Sequence, residues 1–457
     1  MQRENWSSRL TYILTVAGAT IGFGATWRFP YLVGQNGGGA YVLVFCLAMI
    51  LVGVPVILAE NVIGRRSAKN AMDAYVQDLG DGKKNNKAWM SLGYMSIGSS
   101  FLILAYYMVL GGWVLGYIIN ILLGNFDVSD PVHVTTQYTA GFFEKHIENS
   151  PLEIGFYTFI FVAVNWFILR KGIIEGIERS VKFLMPALFI CLAIIVARNL
   201  TLSGAAQGVS FYLSVDFSKI TGRLFIEVLG QVFFALSLGI GVMVTLSSHL
   251  DKKENLLATA GITGVLNTVV AVLCGFMIFP ALFTAGLDPS SGPSLVFKTL
   301  PVAFAYIPFG NVIAVLFFVL LVIAALTTSI TLYQVIICIM EEKWGFSKKS
   351  ATNWCLGLIF VFGNIPSVLA YGPWRDIKIF GMNIFDAFDF FSGNIFFVLT
   401  ALFSCIYVGW VLKENAVKEL SNEGTNNHWI IAPWYWYVKF VVPVIISIIF
   451  VYGIFFS

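Results

Sequence analysis

Residues Thr15 to Ala40 read TVAGATIGFGATWRFPYLVGQNGGGA, an apolar stretch interrupted by Gly18, Gly22 and Gly24 and closed by Arg28, Pro30 and a Gly37-Gly38-Gly39 run. A glycine inside a helix costs about 1 kcal/mol relative to alanine. A continuous helix is therefore a poor use of these residues, and a broken one is expected. In hydrocarbon the N–H and C=O groups freed by a break need partners, and unwound backbone is tolerated only where protein buries it or where it lines a cavity. Half-helix N-termini can present N–H groups to an anion, and unwound carbonyls can hold a bare cation such as Na⁺. A glycine face packed closely on a neighbouring helix is the competing reading.

The stretch lies in a chain of 457 residues that is 58% hydrophobic and only 12% charged, where a soluble chain carries about 25% charge. An all-α integral membrane protein is the expected class, and the alternating pattern of a membrane β-barrel is absent. Apolar runs long enough to cross about 30 Å of hydrocarbon fall near 10–33, 38–64, 88–122, 152–170, 178–197, 223–247, 256–285, 309–340, 353–371, 383–412 and 432–456. These give about 11 transmembrane helices. With that count Arg65, Arg66, Lys83, Lys84, Arg170, Lys171, Lys252, Lys253, Lys348, Lys349 and Lys413 fall on one side, which the positive-inside rule makes cytoplasmic. The N-terminus is then inside, and a multi-pass protein of a bacterial inner membrane is expected. The net charge of +3 follows from this bias and implies no nucleic-acid partner. Cys46, Cys191, Cys274, Cys338, Cys355 and Cys405 all sit in apolar runs and read as buried hydrophobes without disulfide or metal spacing. The N-terminal residues lack a cleavable signal pattern, so the first span is expected to direct insertion.

Several polar residues stand out within the spans. Glu60 should face the bundle, because a carboxylate in lipid costs several kcal/mol; pairing with freed amides of the first break is the favoured role and proton binding the alternative. Tyr106 and Tyr107, near Ile103, need hydroxyl partners, either a ligand or another helix. Gly176 and Pro186 bracket the start of the fifth span, which could unwind or merely kink there. The sixth span, VLGQVFFALSLGIGVMVTLSSHL, is interrupted by Gly239 and Gly241 and repeats the signature of the first. Paired interrupted spans are the best pointer in a sequence to a transporter site. Two related units of five helices, about 8–200 and 220–412, would be inverted relative to each other within one domain, with an extra span at about 432–456. Thr327, Thr328, Ser329 and Thr331 cluster in the eighth span; they bond back to their own helix or supply hard oxygens to a cation. Asp386 and Asp389 lie near one end of the tenth span, and Arg28 lies just beyond the first break, so an ion pair across a pathway mouth is expected. No His, Cys or paired carboxylates gather near the breaks for catalysis, so an enzyme is not expected.

With RENWSSRL, WRFPYLVGQNGGGAY, QVFFALSLGIG, ALTTSI and DFFSG in view, the chain resembles the neurotransmitter:sodium symporter family, in its bacterial amino-acid transporter branch, over nearly its whole length. The resemblance implies two inverted five-helix repeats, the LeuT-like fold, with one extra span. It implies a sodium site made by the carbonyls of Gly18, Ile21 and Ala324 with the hydroxyls of Thr327 and Thr328. It implies a substrate carboxylate held near Gly22, Gly24 and Tyr107, an ammonium near Ser237 and Phe234, and a side chain among Ile103, Phe234, Ile240, Ser329 and Leu332. Arg28 with Asp389 would close the outer mouth, and Arg3, Trp6 and Glu342 the inner one, while His249 stands where relatives commonly carry Tyr and is set aside. At a first sodium site the family usually carries Asn and Thr or Ser where this chain has Ala25 and Ala235, while Asn267 keeps its place. At the positions of a chloride site stand Phe45, Gln231, Ala235 and Ala271, so no chloride is expected. The implied activity is Na⁺-coupled import of a neutral, apolar or small amino acid by alternating access, one Na⁺ per cycle. Uptake coupled to protons or independent of sodium, or a membrane sensor that does not transport, are the rival readings. Membrane lipid surrounds a monomer or homodimer in either case.

Overall fold

The computed structural model describes residues 5–79, 85–290, 295–424 and 428–455. Nine helices among them are long and apolar enough to cross a membrane, and the bent pair Arg9–Thr20 and Gly24–Gln35 makes a tenth crossing. Gly222–Ala235 and Val242–Ser247, each too short alone, fill the sixth position in chain order. The count of nine or ten crossings is close to the eleven expected from hydropathy, and the difference lies at the sixth span, where the break leaves two short helices. Among the described residues no β-strand forms, and Ile379 and Met382 make an isolated bridge.

The first span starts at a capping box, in which Ser8 Oγ accepts from Thr11 N–H and Thr11 Oγ1 accepts from Ser8 N–H, each at 3.3 Å. It stops at Thr20, the helical segment resumes at Gly24 after three intervening residues, and the two halves meet at 51°. The sixth span, begun by a Thr221 cap, stops at Ala235 and resumes at Val242. Between them Ser237, Gly239 and Gly241 take φ values of 52°, 76° and 84°. Those left-handed conformations suit glycine and strain serine. Gly239 meets a second constraint, since a Cβ there would overlap the backbone of Phe397 in the tenth span.

The third span, Lys87–Leu122, and the eighth, Gly310–Glu342, run against each other at the centre. The most apolar window of each is 78% buried, against 22% for the eleventh span, Ile431–Gly453, which lies at the periphery. Arg9–Thr20 packs on the fifth, seventh and eighth spans, and Val242–Ser247 on the second and eighth. Both broken spans are therefore enclosed by continuous ones, as unwound backbone in a membrane requires. The fifth span does not unwind at its start. It begins as a wide π turn, Ile173–Glu178, after Gly172 at φ 84°, and then runs as Arg179–Asn199 through Pro186.

Where the second span Gly39–Ser67 ends, Arg65 is fully buried. Its Nε donates to Glu419 Oε1 at 2.6 Å and its guanidinium also reaches the carbonyls of Glu254 and Glu419. Lys252 Nζ adds a bond of 2.9 Å to Arg65 O and approaches the same carboxylate at 3.2 Å. Three connections on the basic side of the molecule are thereby tied together.

Candidate functional site

The two breaks face each other. Ser237 Oγ donates to Ala19 O at 2.9 Å, and Gln231 Nε2 donates to Gly24 O at 2.6 Å. A Cβ on Gly24 would stand 2.9 Å from the Phe234 ring and 3.1 Å from Ala235 Cα, so only glycine lets the halves approach this closely. The second and third spans steady the sixth-span break from behind. Ser100 Oγ donates to Ile240 O at 3.2 Å, and Glu60 Oε1 accepts from Gly239 N–H at 2.8 Å. Glu60 was expected to serve amides of the first break. Its partner is instead an amide of the sixth, because Gly239 in its left-handed turn points an N–H toward the second span.

Between the breaks lies a small cavity lined by Ala19, Thr20, Gly22, Phe23, Gly24, Ile103, Tyr107, Phe234, Ser237, Ile240, Thr328, Leu332 and Phe397. The nine residues inferred from the sequence for substrate are all there except Ser329. That residue is a correction: its hydroxyl donates to Asn165 Oδ1 of the fourth span at 2.7 Å and to Leu326 O at 3.1 Å, on the side of the eighth helix away from the cavity. Phe23, which sits inside the first break, could have been found from its place between Gly22 and Gly24. Phe397 carries no signal in the sequence, since nothing there says which face of the tenth span turns inward.

Tyr107 Oη accepts from Phe23 N–H at 3.2 Å, so the hydroxyl already addresses an amide of the break. Its ring lies 4.8 Å from that of Phe23. A Cβ on Gly22 would lie 2.5 Å from both Tyr107 Oη and Thr328 Oγ1. The cavity as it stands is about 20 Å³, room for a single water.

Beside this cavity the eighth span brings neutral oxygens against the first. Thr328 Oγ1 donates to Gly18 O at 2.9 Å, and Thr327 Oγ1 donates to Ala324 O and Ile323 O at 3.1 Å. Ile21 caps the helix that Gly18 belongs to. A Cβ on Gly18 would stand 3.0 Å from Thr327 Cβ, so the two helices pack closely here, with Thr328 making the bond across and Thr327 bonding back to its own helix. All these groups are buried, and all are the hard, uncharged oxygens that suit an alkali cation at a helix break. The donor set fits Na⁺.

The expected gates are placed differently. Arg28 and Asp389 form no ion pair among the described residues; the Arg28 guanidinium instead lies over the Phe234 ring, 4.7 Å from its centroid. A cation held on an aromatic face in an enclosed site keeps its interaction without needing the carboxylate. On the other side Trp6 Nε1 donates to Leu246 O at 3.0 Å, with its ring edge-on to His249 at 6.5 Å. Ser7 is bonded through its hydroxyl and its N–H to the buried Glu178. Glu342 accepts from Asn70 N–H at 2.9 Å and from its side-chain amide at 3.1 Å. Arg3 lies outside the described residues. His249, Gln334, Cys338 and Glu342 line a second, larger cavity of about 820 Å³ beyond this latch.

The model of the sodium:neurotransmitter symporter family matches residues 3–152 and 134–456. A sodium-dependent transporter of Haemophilus influenzae is 58% identical over 99% of both chains. The sodium-dependent transporter YhdH of Bacillus subtilis is 35% identical over 97% of this chain and 96% of its own. Among solved structures, MhsT in complex with L-phenylalanine superposes with a TM-score of 0.87 at 35% identity, over 99% of this chain and all of that one. The chain belongs to the sodium:neurotransmitter symporter family. It is a multi-pass, sodium-dependent membrane transporter with the LeuT fold.

Proposed function

We propose that the chain is a Na⁺-coupled symporter importing a neutral amino acid with an apolar or small side chain, or a related small zwitterion, with one Na⁺ per cycle. The observation that carries this reading is the meeting of two helix breaks at one cavity, with the Thr327 and Thr328 hydroxyls against Gly18 beside it. Amides of the first break and the Tyr107 hydroxyl suit a carboxylate, and the end of the first half of the sixth span, with Ser237, suits an ammonium. Ile103, Phe234, Ile240, Leu332 and Phe397 offer an apolar wall for the side chain. MhsT, a neighbour of the same fold, was solved with L-phenylalanine, an amino acid of this kind. Gly22 leaves no carboxylate in the cavity to pair with the amine of a monoamine.

Coupling requires that Na⁺ and substrate prefer the same conformations, since a ligand with equal affinity for two states shifts nothing. A site shared between the first and eighth spans meets that requirement, because rocking of the two against each other would make or break it. Sodium moving inward adds about 2.3 kcal/mol per charge per 100 mV of membrane potential. We place the protein in a bacterial inner membrane with its N-terminus in the cytoplasm, as a monomer or homodimer. Proteoliposome uptake of neutral amino acids against an imposed Na⁺ gradient tests the reading, and uptake indifferent to Na⁺ would end it. Thr327→Ala with Thr328→Ala should abolish Na⁺-dependent binding, measured as the loss of a Na⁺-induced thermal shift.

A further inference from the structure

At the junction of the two breaks, two carbonyls converge on one side chain. Asn267 of the seventh span, Leu256–Thr284, donates through Nδ2 to Thr20 O at 3.0 Å and to Ala235 O at 3.2 Å. One carbonyl ends the first half of the first span and the other ends the first half of the sixth. The nitrogen-inward orientation of this amide is assigned from that network. Asn267 Oδ1 then points away and finds no partner. A second amide works alongside it, Gln231 Nε2 on Gly24 O at 2.6 Å, again with its oxygen left without a partner.

A cation at this junction would need more oxygens than the two carbonyls supply. The two carbonyls are already engaged by N–H donors, and the side chains beside them are Ala25 and Ala235, both fully or almost fully buried and without a lone pair to give. Neither charge nor counter-charge is available: Ala271 is buried one turn along from Asn267, and Phe45 packs its ring 4.6 Å from Phe29. Losing a cation and losing the anion that would balance it belong together, because either charge alone in an apolar interior costs several kcal/mol. The first sodium site of the family therefore does not fit these residues.

From this we infer that the junction is held by amides instead of an ion, with Asn267 as the positioning residue that ties the two breaks together and Gln231 as its support. A bound cation and an amide NH₂ both satisfy converging carbonyls. The amide does so permanently, so the breaks stay in register whether or not sodium is present, and only the Thr327 and Thr328 site responds to the sodium gradient. This rests on the sodium-symport reading for the second part and on hydrogen-bond geometry alone for the first.

The test is the number of ²²Na⁺ ions bound per purified transporter, with substrate affinity measured in parallel. The wild type should bind one, and Thr328→Ala none. Asn267→Ala should keep the sodium count while weakening substrate binding at least tenfold, the mark of a positioning residue. Ala25→Asn with Ala235→Thr, which supplies the missing oxygens, should raise the count by one. A wild-type count of two, or a count that falls in Asn267→Ala, would overturn the inference. A wild-type count of zero would instead overturn the sodium-symport reading, and the junction would then be judged on the gain in Ala25→Asn with Ala235→Thr, whose absence would overturn it as well.

Discussion

At Gly22 a single missing methyl group holds the candidate site open. A Cβ there would stand 2.5 Å from Tyr107 Oη and Thr328 Oγ1, one belonging to the substrate cavity and the other to the sodium donors. Gly22→Ala should still fold, since the strain is local, but should lose about 1–3 kcal/mol of substrate binding through overpacking. Isothermal titration on the purified protein would read this as a weaker Kd, accompanied by a lowered melting temperature. Residue types in this region were legible from the sequence, because glycines and hydroxyls are conspicuous among apolar neighbours. Their directions were less so. Thr328 and Ser329 are consecutive, and one residue along a helix is a turn of about 100°. That rotation sends Thr328 toward Gly18 and Ser329 toward Asn165, and nothing in ALTTSI fixes it. Glu60 was legible as an inward-facing carboxylate, yet which break it serves depends on where Gly239 aims its amide.

Among the elements, the segment before the first span acts as a strap. Trp6 holds Leu246 O in the second half of the sixth span, and Ser7 holds Glu178 at the start of the fifth. Neither bond belongs to a helix, so each can be released without unfolding one. Trp6→Ala removes a hydrogen bond worth about 1 kcal/mol, roughly a fivefold shift in a two-state equilibrium. Labelling of Cys338, which lines the larger cavity beyond the strap, by a membrane-impermeant maleimide in inside-out vesicles should rise by about that factor. No change in labelling would show that the strap is not a gate. The existence of both breaks was legible because glycine is costly in a helix. Their extent was not, since the sixth stops at Ala235, before either glycine, where Ser237 is forced into a left-handed turn.

For the molecule as a whole, Arg65 anchors the side that carries the basic loops. In the sequence it is one of many charges that set orientation; in the structure it is buried and shared by Glu419 and two carbonyls from separate connections. Arg65→Ala should destabilise the protein by about 3–5 kcal/mol, because Glu419 would be left buried with a weakened partnership. Lys252→Ala, whose side chain is 58% exposed, should cost no more than about 1 kcal/mol. Melting of the two variants in detergent would separate these outcomes, and equal shifts would refute the role given to Arg65. Such long-range ties join residues hundreds of positions apart, so no local pattern announces them.

The second half of the sixth span, Val242–Ser247, has a further consequence. At 1.5 Å per residue it is about 9 Å long, against some 30 Å of hydrocarbon. It is therefore too short to cross alone, and the residues between Ala235 and Val242 must carry part of the crossing without a full set of helical hydrogen bonds, which is why that stretch has to stay enclosed by its neighbours.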